Sequence, residues 1–464
     1  DFLLPCLEYA FKAIRVPQAA PAAARAILQL SVHGSSLLSS RQDVVPGLVA
    51  ATAQLITAND LAIPSDAVQT CVEAATRLGI TRDFASSSAT VSHLGLPMVA
   101  ELQKACHFTT TNGGQRRERV GHVLGWLGQL IRFCDTACAG PDGSHVLGPT
   151  LAGLWPLLQG CTSSPLIMAG DSIVNAVFNV YSRAISSAED AVMPHISSIG
   201  ETVVTVFDHH GQATCLQCAS VIVECLASKA SSDTQVSDFL SNMLVRIVQS
   251  FDTRSGDAAS PMANVPLWGF DPDGIDHVFK FLHTYLVHAP AVLSNSPARD
   301  VLPGLAHRCL LACPERAPVR TILHCMQAYF YPVSPRLEPL HGALLGACVP
   351  LGPAFVQYLL AALGGRATST LWPNLTDTLY NLISGCCRSG QAGTDSVRQW
   401  LGTALDIPGV MDGLAAAPNV KTPVVEALVR LAANDRPRFK SLVQDLSKVC
   451  AKEADAGVLR DYML

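Results

Sequence analysis

Residues 212–227 read QATCLQCASVIVECLA, and their apolar side chains recur at a helical spacing. An α-helix turns once in about 3.6 residues, so side chains three, four and seven positions apart lie on the same face. The stretch is therefore predicted to form an amphipathic helix with one apolar face. That face consists of Cys215, Cys218, Ala219, Ile222, Cys225 and Leu226.

The same spacing appears along the rest of the chain. Two further examples are the set Leu124, Leu127, Ile131, Cys134 and Cys138, and the set Leu302, Leu305, Ala306, Cys309 and Cys313. Such segments number about twenty, are about 10–18 residues long and are separated by short breaks rich in Gly, Pro, Ser and Asp. Strand-like alternation is scarce. We therefore predict an all-α fold.

A five-residue motif also recurs: two apolar residues, a proline, any residue and another apolar residue. Pro5 and Pro46 are 41 residues apart, and Pro156 and Pro194 are 38 apart, close to the 40–47 residues of HEAT and armadillo units. A chain with 29 prolines makes some copies by chance, but six copies, each followed by a helical run, favour a repeat. The sequence predicts an α-solenoid (superhelix) of HEAT/armadillo-like helical repeats, each with a bent first helix and a straighter second one. The full copies are LLPCL at Pro5, VVPGL at Pro46, LWPLL at Pro156, VMPHI at Pro194, VLPGL at Pro303 and LWPNL at Pro373.

A solenoid also accounts for the length, since 464 residues are too many for one compact core. We predict a single continuous solenoid over 1–464, with inserted loops near 109–117 and 250–273. Residues 394–464 are predicted to be terminal capping repeats. Within them, Trp400 and Leu401 lie in an apolar set and are predicted to form the core of the cap. A binding role for Trp400 is the alternative.

Composition narrows the class of protein. Hydrophobic residues make up 49% and charged residues 15%, which excludes general disorder. A net charge of −5 gives no overall attraction to phosphates, so we expect no direct nucleic-acid binding. The sixteen cysteines lack a regular framework and indicate reduced thiols in the cytosol or nucleus. The first residues are DFLLP, without an initiator Met, which suggests the middle of a longer protein.

Two uncharged stretches resemble membrane spans, one at 144–170 and one at 339–365. Both contain several prolines and glycines, which interrupt a spanning helix. We expect each to form two short helices joined by a turn, with no membrane insertion.

The sequence carries no phosphate-binding loop, dinucleotide fingerprint, HExxH or GxSxG motif, so we expect neither an enzyme nor a cofactor. The best metal candidate is Cys215 and Cys218 with His209 and His210 upstream. A structural zinc site needs four converging ligands. Because both cysteines lie on the apolar face described above, we interpret them as core residues and expect no metal.

Several short motifs carry a resemblance to a known family. They are LWPLL at 154–158, GID at 274–276 with Phe279, Phe281 and Leu282, VLP at 301–303, VRQWL at 397–401 with Ala404, Leu405 and Pro408, and VLRDY at 458–462. Together they resemble, in order, the later repeats of karyopherin-β receptors, the importin-β superfamily of nuclear transport receptors. The terminal motifs resemble the transportin-SR and importin-thirteen branch, and the match is to the C-terminal part of such a receptor.

The resemblance implies an importin that binds protein cargo on its concave face and shuttles between cytoplasm and nucleus through the nuclear pore. It implies binding of Phe-Gly nucleoporins, and of RanGTP mainly through N-terminal repeats outside this chain. The helix that presents clustered arginines to Arg-Ser cargo in transportin-SR corresponds to residues 171–185 here, with Arg183 alone. This departure argues against Arg-Ser cargo. The alternative function is a HEAT-repeat scaffold for another cytosolic protein complex.

A cargo-binding surface is predicted on the helix from Glu315 to Phe330, expected to be the second helix of its pair. By the resemblance, second helices line the concave face. The apolar stripe is Val319, Ile322, Leu323, Met326 and Phe330, so the opposite stripe faces out. Two arginines one turn apart there suit a carboxylate or phosphate on a partner, although a solvated helix face is the alternative. The predicted cargo-binding residues are Arg316, Arg320, His324 and Gln327.

Overall fold

Helices connected by short turns form the chain, and the described residues contain no β-strand. The computed structural model describes residues 3–39, 43–58, 63–80, 83–106, 113–134, 140, 142–164, 171–256, 271–332, 334–408, 410 and 418–463. Contacts group the chain into two compact units, Asp1–Cys225 and Leu226–Leu464. The all-α solenoid prediction is confirmed, whereas the single continuous solenoid over 1–464 stays a prediction.

In the first unit, each first helix is followed by a second helix that packs on it. The helices are α1 (Leu3–Ala13), α2 (Ala20–His33), α3 (Ser35–Ser39), α4 (Val44–Thr57), α5 (Ser65–Gly79), α6 (Phe84–Cys106), α7 (Gly113–Arg132), α8 (Gly148–Ser163), α9 (Asp171–Ser187), α10 (Glu189–Val192), α11 (Ile196–His210) and α12 (Cys215–Ala230). First helices α4, α6 and α8 stack on one another, and second helices α2, α5, α7 and α9 form a parallel row. This two-row stacking is the arrangement of a helical-repeat solenoid.

The second unit repeats the scheme, and the predicted capping role of residues 394–464 stays a prediction. Its helices are α13 (Thr234–Gly256), α14 (Pro272–His288), α15 (Pro290–Asn295), α16 (Ala298–Ala312), α17 (Arg316–Phe330), α18 (His341–Cys348), α19 (Gly352–Ala361), α20 (Trp372–Arg388), α21 (Gln391–Asp406), α22 (Pro418–Asn434), α23 (Arg436–Cys450) and α24 (Arg460–Met463). The second helices α14, α17, α20 and α22 contact one another in turn. As predicted, α17 is the second helix of its pair.

Several first helices are broken, whereas the second helices are continuous. Pro194 lies in a 3-10 turn between α10 and α11, Pro297 lies between α15 and α16, and Pro350 lies in a 3-10 turn between α18 and α19. Proline lacks an N–H and its ring clashes with the preceding turn, so the helix breaks there. The prediction of a bent first helix and a straighter second helix is confirmed for these three pairs.

Contrary to our prediction, the recurring proline motif does not mark one structural position. Pro5 and Pro46 lie in the first turn of a first helix, whereas Pro156 and Pro303 lie inside theirs. Pro373 begins α20, which packs in the row of second helices. The motif therefore occurs at helix starts and in helix interiors, and in both kinds of helix.

The predicted loops are shorter than expected where the structure describes them. Helix α7 already begins at Gly113, because the run Gln115–Arg119 consists of good helix formers. Helix α13 continues to Gly256, with Phe251 buried on its apolar face. Residues 107–112 and 257–270 lie outside the described residues.

One stretch, Glu338–Gly365, is long and apolar enough to cross a membrane by length and composition alone. It comprises two short helices, α18 and α19, joined by a 3-10 turn, as predicted. Phe355, Val356 and Leu359 are fully buried in the unit, as in a core helix. In the other stretch, 144–170, we find one helix, α8, with Pro156 inside it. The two-helix prediction for this stretch stays a prediction, because residues 165–170 lie outside the described residues.

Trp400 lies buried at the start of the terminal region. Its indole packs on Gly352, where an added Cβ would come within 2.4 Å of the ring. Helices α21 and α19 can therefore approach closely, because position 352 has no side chain. This contact joins the last helices to the preceding pair.

We predict that Trp400→Ala lowers the free energy of unfolding by about 3–5 kcal/mol, as buried aromatic truncations do. Hydrogen exchange of residues after Asp395 should accelerate first. Trp372→Ala, which removes a half-buried indole from the neighbouring α20, is the matched control and should cost less. Unchanged exchange protection after Asp395 in Trp400→Ala would contradict a cap held by this side chain.

Candidate binding surface

Helix α17 presents two arginines to solvent on the side opposite its buried stripe. Val319, Ile322 and Leu323 are at most 4% exposed, which fixes the orientation of the helix. Arg316 and Arg320 are exposed, and neither makes a hydrogen bond or ion pair with another described residue. They lie one helical turn apart, so both guanidinium groups can reach one carboxylate or phosphate.

Two carboxylates on the flanking second helices, Asp276 and Asp377, are already paired. Asp276 on α14 accepts hydrogen bonds from Lys280 Nζ at 2.6 Å and from Thr321 Oγ1 at 2.5 Å. Burial opposes ionisation of Asp276, but these two donors outweigh it and lower its pKa. Asp377 on α20 is likewise held by Arg436 at 2.9 Å and Lys440 at 2.7 Å. These two carboxylates are therefore engaged by cations other than the two α17 arginines.

The other two predicted residues have partners within the unit. Gln327 Nε2 donates to Asn374 O at 3.2 Å and to Thr378 Oγ1 at 3.0 Å, so this side chain joins α17 to α20. His324 is exposed and stacks on His283 of α14, with 4.3 Å between the ring centroids. The predicted set thus divides into two free cations, Arg316 and Arg320, and two side chains that hold neighbouring helices together.

His283 is the buried member of the stacked histidine pair. Burial, together with the charges of His324 and His288, lowers its pKa to about 4 from the ordinary 6.5. Between these two values, the unfolded chain binds a proton that the folded chain does not. Stability is therefore lost as the pH falls from about 6.5 towards 4.

We predict that His283→Gln reduces this loss by about 1 kcal/mol, a value discounted for the part of the ring that water reaches. The measurement is urea unfolding at pH 7 and pH 4.5. His33→Gln, on exposed surface of α2, is the matched control and should follow the wild type. If the His283 variant and the wild type lose the same stability between the two pH values, the ring does not titrate as described.

A second basic group, which the sequence did not reveal, lies on the first unit. Arg77 ends α5, Arg132 ends α7 and Arg183 lies on α9, and these three helices are neighbours in the row of second helices. Phe133 lies among them, 4.4 Å from the guanidinium carbon of Arg77 and 5.7 Å from that of Arg132. The charge of Arg132, together with burial, lowers the pKa of Arg183. Like charges are therefore held close together here.

One carboxylate, Glu73, hydrogen-bonds within this arginine group in the described part of the chain. It accepts from Arg77 Nε at 2.9 Å and from Gln129 Nε2 at 2.7 Å, and Gln129 Oε1 accepts from Arg183 at 3.5 Å. Glu73 thus pairs directly with Arg77 and is linked to Arg183 through Gln129. In the sequence, the group is visible only as one arginine in the C-terminal half of each helix. This pattern predicts a basic group only when the three helices are known to be neighbours.

The metal candidate of the sequence lies in the core. Cys215 and Cys218 are fully buried, and burial raises the pKa of both thiols, to about 12 for Cys218. Cys215 Sγ is 3.6 Å from Val203 O, whereas His209 and His210 are exposed at the end of α11. The core placement is confirmed. Across the described ranges, no group of three or more His, Cys, Asp or Glu side chains is positioned to hold a metal ion.

Comparison with known proteins gives matches among solved structures. Neither a protein-family model nor a curated protein matches the chain. A structure of importin-13 in its cytosolic state superposes over 97% of this chain with a TM-score of 0.67 and 12% identity. A structure of Kap95p with RanGDP aligns over 96% of this chain and 68% of that chain at 10% identity, with a TM-score of only 0.27.

The importin-13 match defines the architecture. This chain spans about half the length, 47%, of that importin-13 chain. At 12% identity, the likeness concerns the path of the helices and not individual residues. The chain therefore has a helical-repeat fold similar to that of importin-13, and the fold implied by its sequence motifs is confirmed.

Proposed function

We propose that this chain is part of an importin-type nuclear transport receptor, which binds protein cargo on the exposed surface of its second helices. The observation that carries the proposal is the superposition on importin-13 over 97% of the chain. The receptor would bind Phe-Gly nucleoporins, shuttle between cytoplasm and nucleus, and contact RanGTP mainly through its N-terminal repeats. It acts by binding and not by catalysis.

Two surfaces support a role in binding acidic segments of a cargo. On α17, Arg316 and Arg320 lie unpaired beside carboxylates that other cations occupy. On the first unit, Arg77, Arg132 and Arg183 form a basic group in which Glu73 pairs with Arg77. Arginine binds carboxylates through two parallel hydrogen bonds, which makes both surfaces suited to Asp- and Glu-rich chains. In a protein of net charge −5, such local positive surfaces are opposite in sign to the overall charge and direct an acidic partner to these places.

The alternative function is a HEAT-repeat scaffold of another cytosolic complex. Such a scaffold would have the same fold but would not pass through nuclear pores. We predict that the purified chain is retained on immobilised Phe-Gly repeats, because a transport receptor needs apolar sites for phenylalanine side chains. A matched column in which every Phe of the repeats is replaced by Ser should not retain it. Equal elution from both columns would favour the scaffold.

The α17 surface is tested by reversing its charge. We predict that Arg316→Glu with Arg320→Glu leaves the fold intact, because both side chains are exposed. It should weaken binding of a fluorescent Glu-rich peptide by about tenfold or more, since two charge-assisted contacts are lost. Wild-type affinity should also fall as salt rises.

The matched control changes the net charge equally at another exposed surface. Arg15→Glu with Arg25→Glu on the first unit should bind the peptide within about twofold of wild type. Affinity that is unchanged in the α17 variant, or reduced equally in both variants, would leave α17 as an ordinary solvated helix face.

A further inference from the structure

Two cysteines that are 55 positions apart in sequence approach one another between neighbouring first helices. Cys106 is the last residue of α6, and Cys161 lies in the last turn of α8. Their sulfur atoms are 3.5 Å apart, within the range of a thiol hydrogen bond. Since α6 and α8 also pack along their length, the contact belongs to the stacking of two successive repeats.

The two thiols differ in access and in acidity. Cys161 is fully buried, whereas Cys106 is partly exposed at the end of its helix. The hydrogen bond from Cys161 lowers the pKa of Cys106 and outweighs the opposing effect of burial. The same contact, with burial, raises the pKa of Cys161. Every other described cysteine with a displaced pKa, including Cys71, Cys309, Cys325 and Cys348, has it raised by burial.

The pair is close to the geometry of a disulfide. A disulfide needs a sulfur–sulfur distance of about 2.05 Å, so the two atoms would have to move together by about 1.5 Å. Cys106 is at the point where α6 ends, where a small rotation does not break the hydrogen bonds of a helix interior. Cys161 is held in the core beside Cys106, where it can react as the second thiol.

We propose that Cys106 and Cys161 are a redox-sensitive modification site, which hydrogen peroxide or a related peroxide converts into an intramolecular disulfide. The Cys106 thiolate attacks the peroxide O–O bond, becomes a sulfenic acid and releases hydroxide, which takes up the proton lost from the thiol to form water. The Cys161 sulfur then attacks the sulfenic sulfur, and its proton leaves with the hydroxyl group as a second water. Two thiols and one peroxide thus give one disulfide and two waters.

The disulfide would clamp the ends of α6 and α8 together and restrict the flexing of two successive repeats. In a reducing compartment, thiol exchange would return it to the open pair. The chemistry of the pair is independent of the molecule that the chain binds, so its test does not depend on the proposed transport function.

The test is peroxide titration of the purified chain, followed by alkylation under denaturing conditions and peptide mass mapping. At low peroxide we expect one cross-linked pair of peptides, containing Cys106 and Cys161, with a mass loss of about 2 Da. Dithiothreitol should reverse it. The internal controls are the buried Cys215 and Cys218, and the adjacent Cys386 and Cys387, all of which should remain alkylatable at that dose.

Two variants test the order of events. In Cys161→Ser, oxidised Cys106 should persist as a sulfenic acid that dimedone labels, whereas in Cys106→Ser the buried Cys161 should stay reduced. Because either variant can perturb folding, the iodoacetamide rate of Cys106 in the native wild-type chain is measured as well. We expect it to exceed that of Cys161 at least tenfold, as access and thiolate fraction predict. The proposal is overturned if Cys106 oxidises no faster than the control cysteines, or if it cross-links to a different residue.

Discussion

Burial of each second helix on three sides is the constraint on which the rest of this structure depends. The inner second helices α5, α7, α17 and α20 each pack on their own first helix and on the second helices before and after them. Two buried tyrosines show how closely the pairs are fixed, because Tyr285 OH donates to Leu240 O and Tyr329 OH donates to Arg299 O. A buried tyrosine has one polar atom, its hydroxyl oxygen, and that group needs a hydrogen-bond partner. The ring can therefore lie only in the orientation in which the hydroxyl group reaches its partner. The orientation of each second helix, and thus its exposed face, follows.

Because three sides of such a helix are buried, the few charged residues on its remaining side determine the charge of the exposed surface. Only 15% of the chain is charged, and Asp276 and Asp377 beside α17 are engaged by Lys280, Arg436 and Lys440. The cations that lack an internal partner therefore contribute most to the positive charge of the exposed face. On the first unit, the positive charge arises differently, since three neighbouring helices each contribute one arginine and Glu73 pairs with Arg77. A repeat architecture can in this way build a charged surface from residues that are distant in sequence.

Cysteine serves two purposes in this fold. Most of the described thiols are small apolar residues between helices, with pKa values raised by burial, as Cys215 and Cys325 illustrate. Cys106 differs because it is at a helix end, within reach of water and of a second thiol. Its reactivity derives from position rather than from neighbouring sequence, since no CxxC or similar motif surrounds it.

The sequence by itself determined the helical class, the repeat character and the burial of stripes such as Val319, Ile322 and Leu323, because a helical period requires only local geometry. It also oriented α17 correctly and so predicted which face carries Arg316 and Arg320. It could not reveal that Gln327 bonds to Thr378, that Pro373 lies in the first turn of a second helix, or that Arg77, Arg132 and Arg183 come from neighbouring helices. It could not pair Cys106 with Cys161 either. Those relations depend on which helices become neighbours, and only the packing of side chains between distant segments decides that.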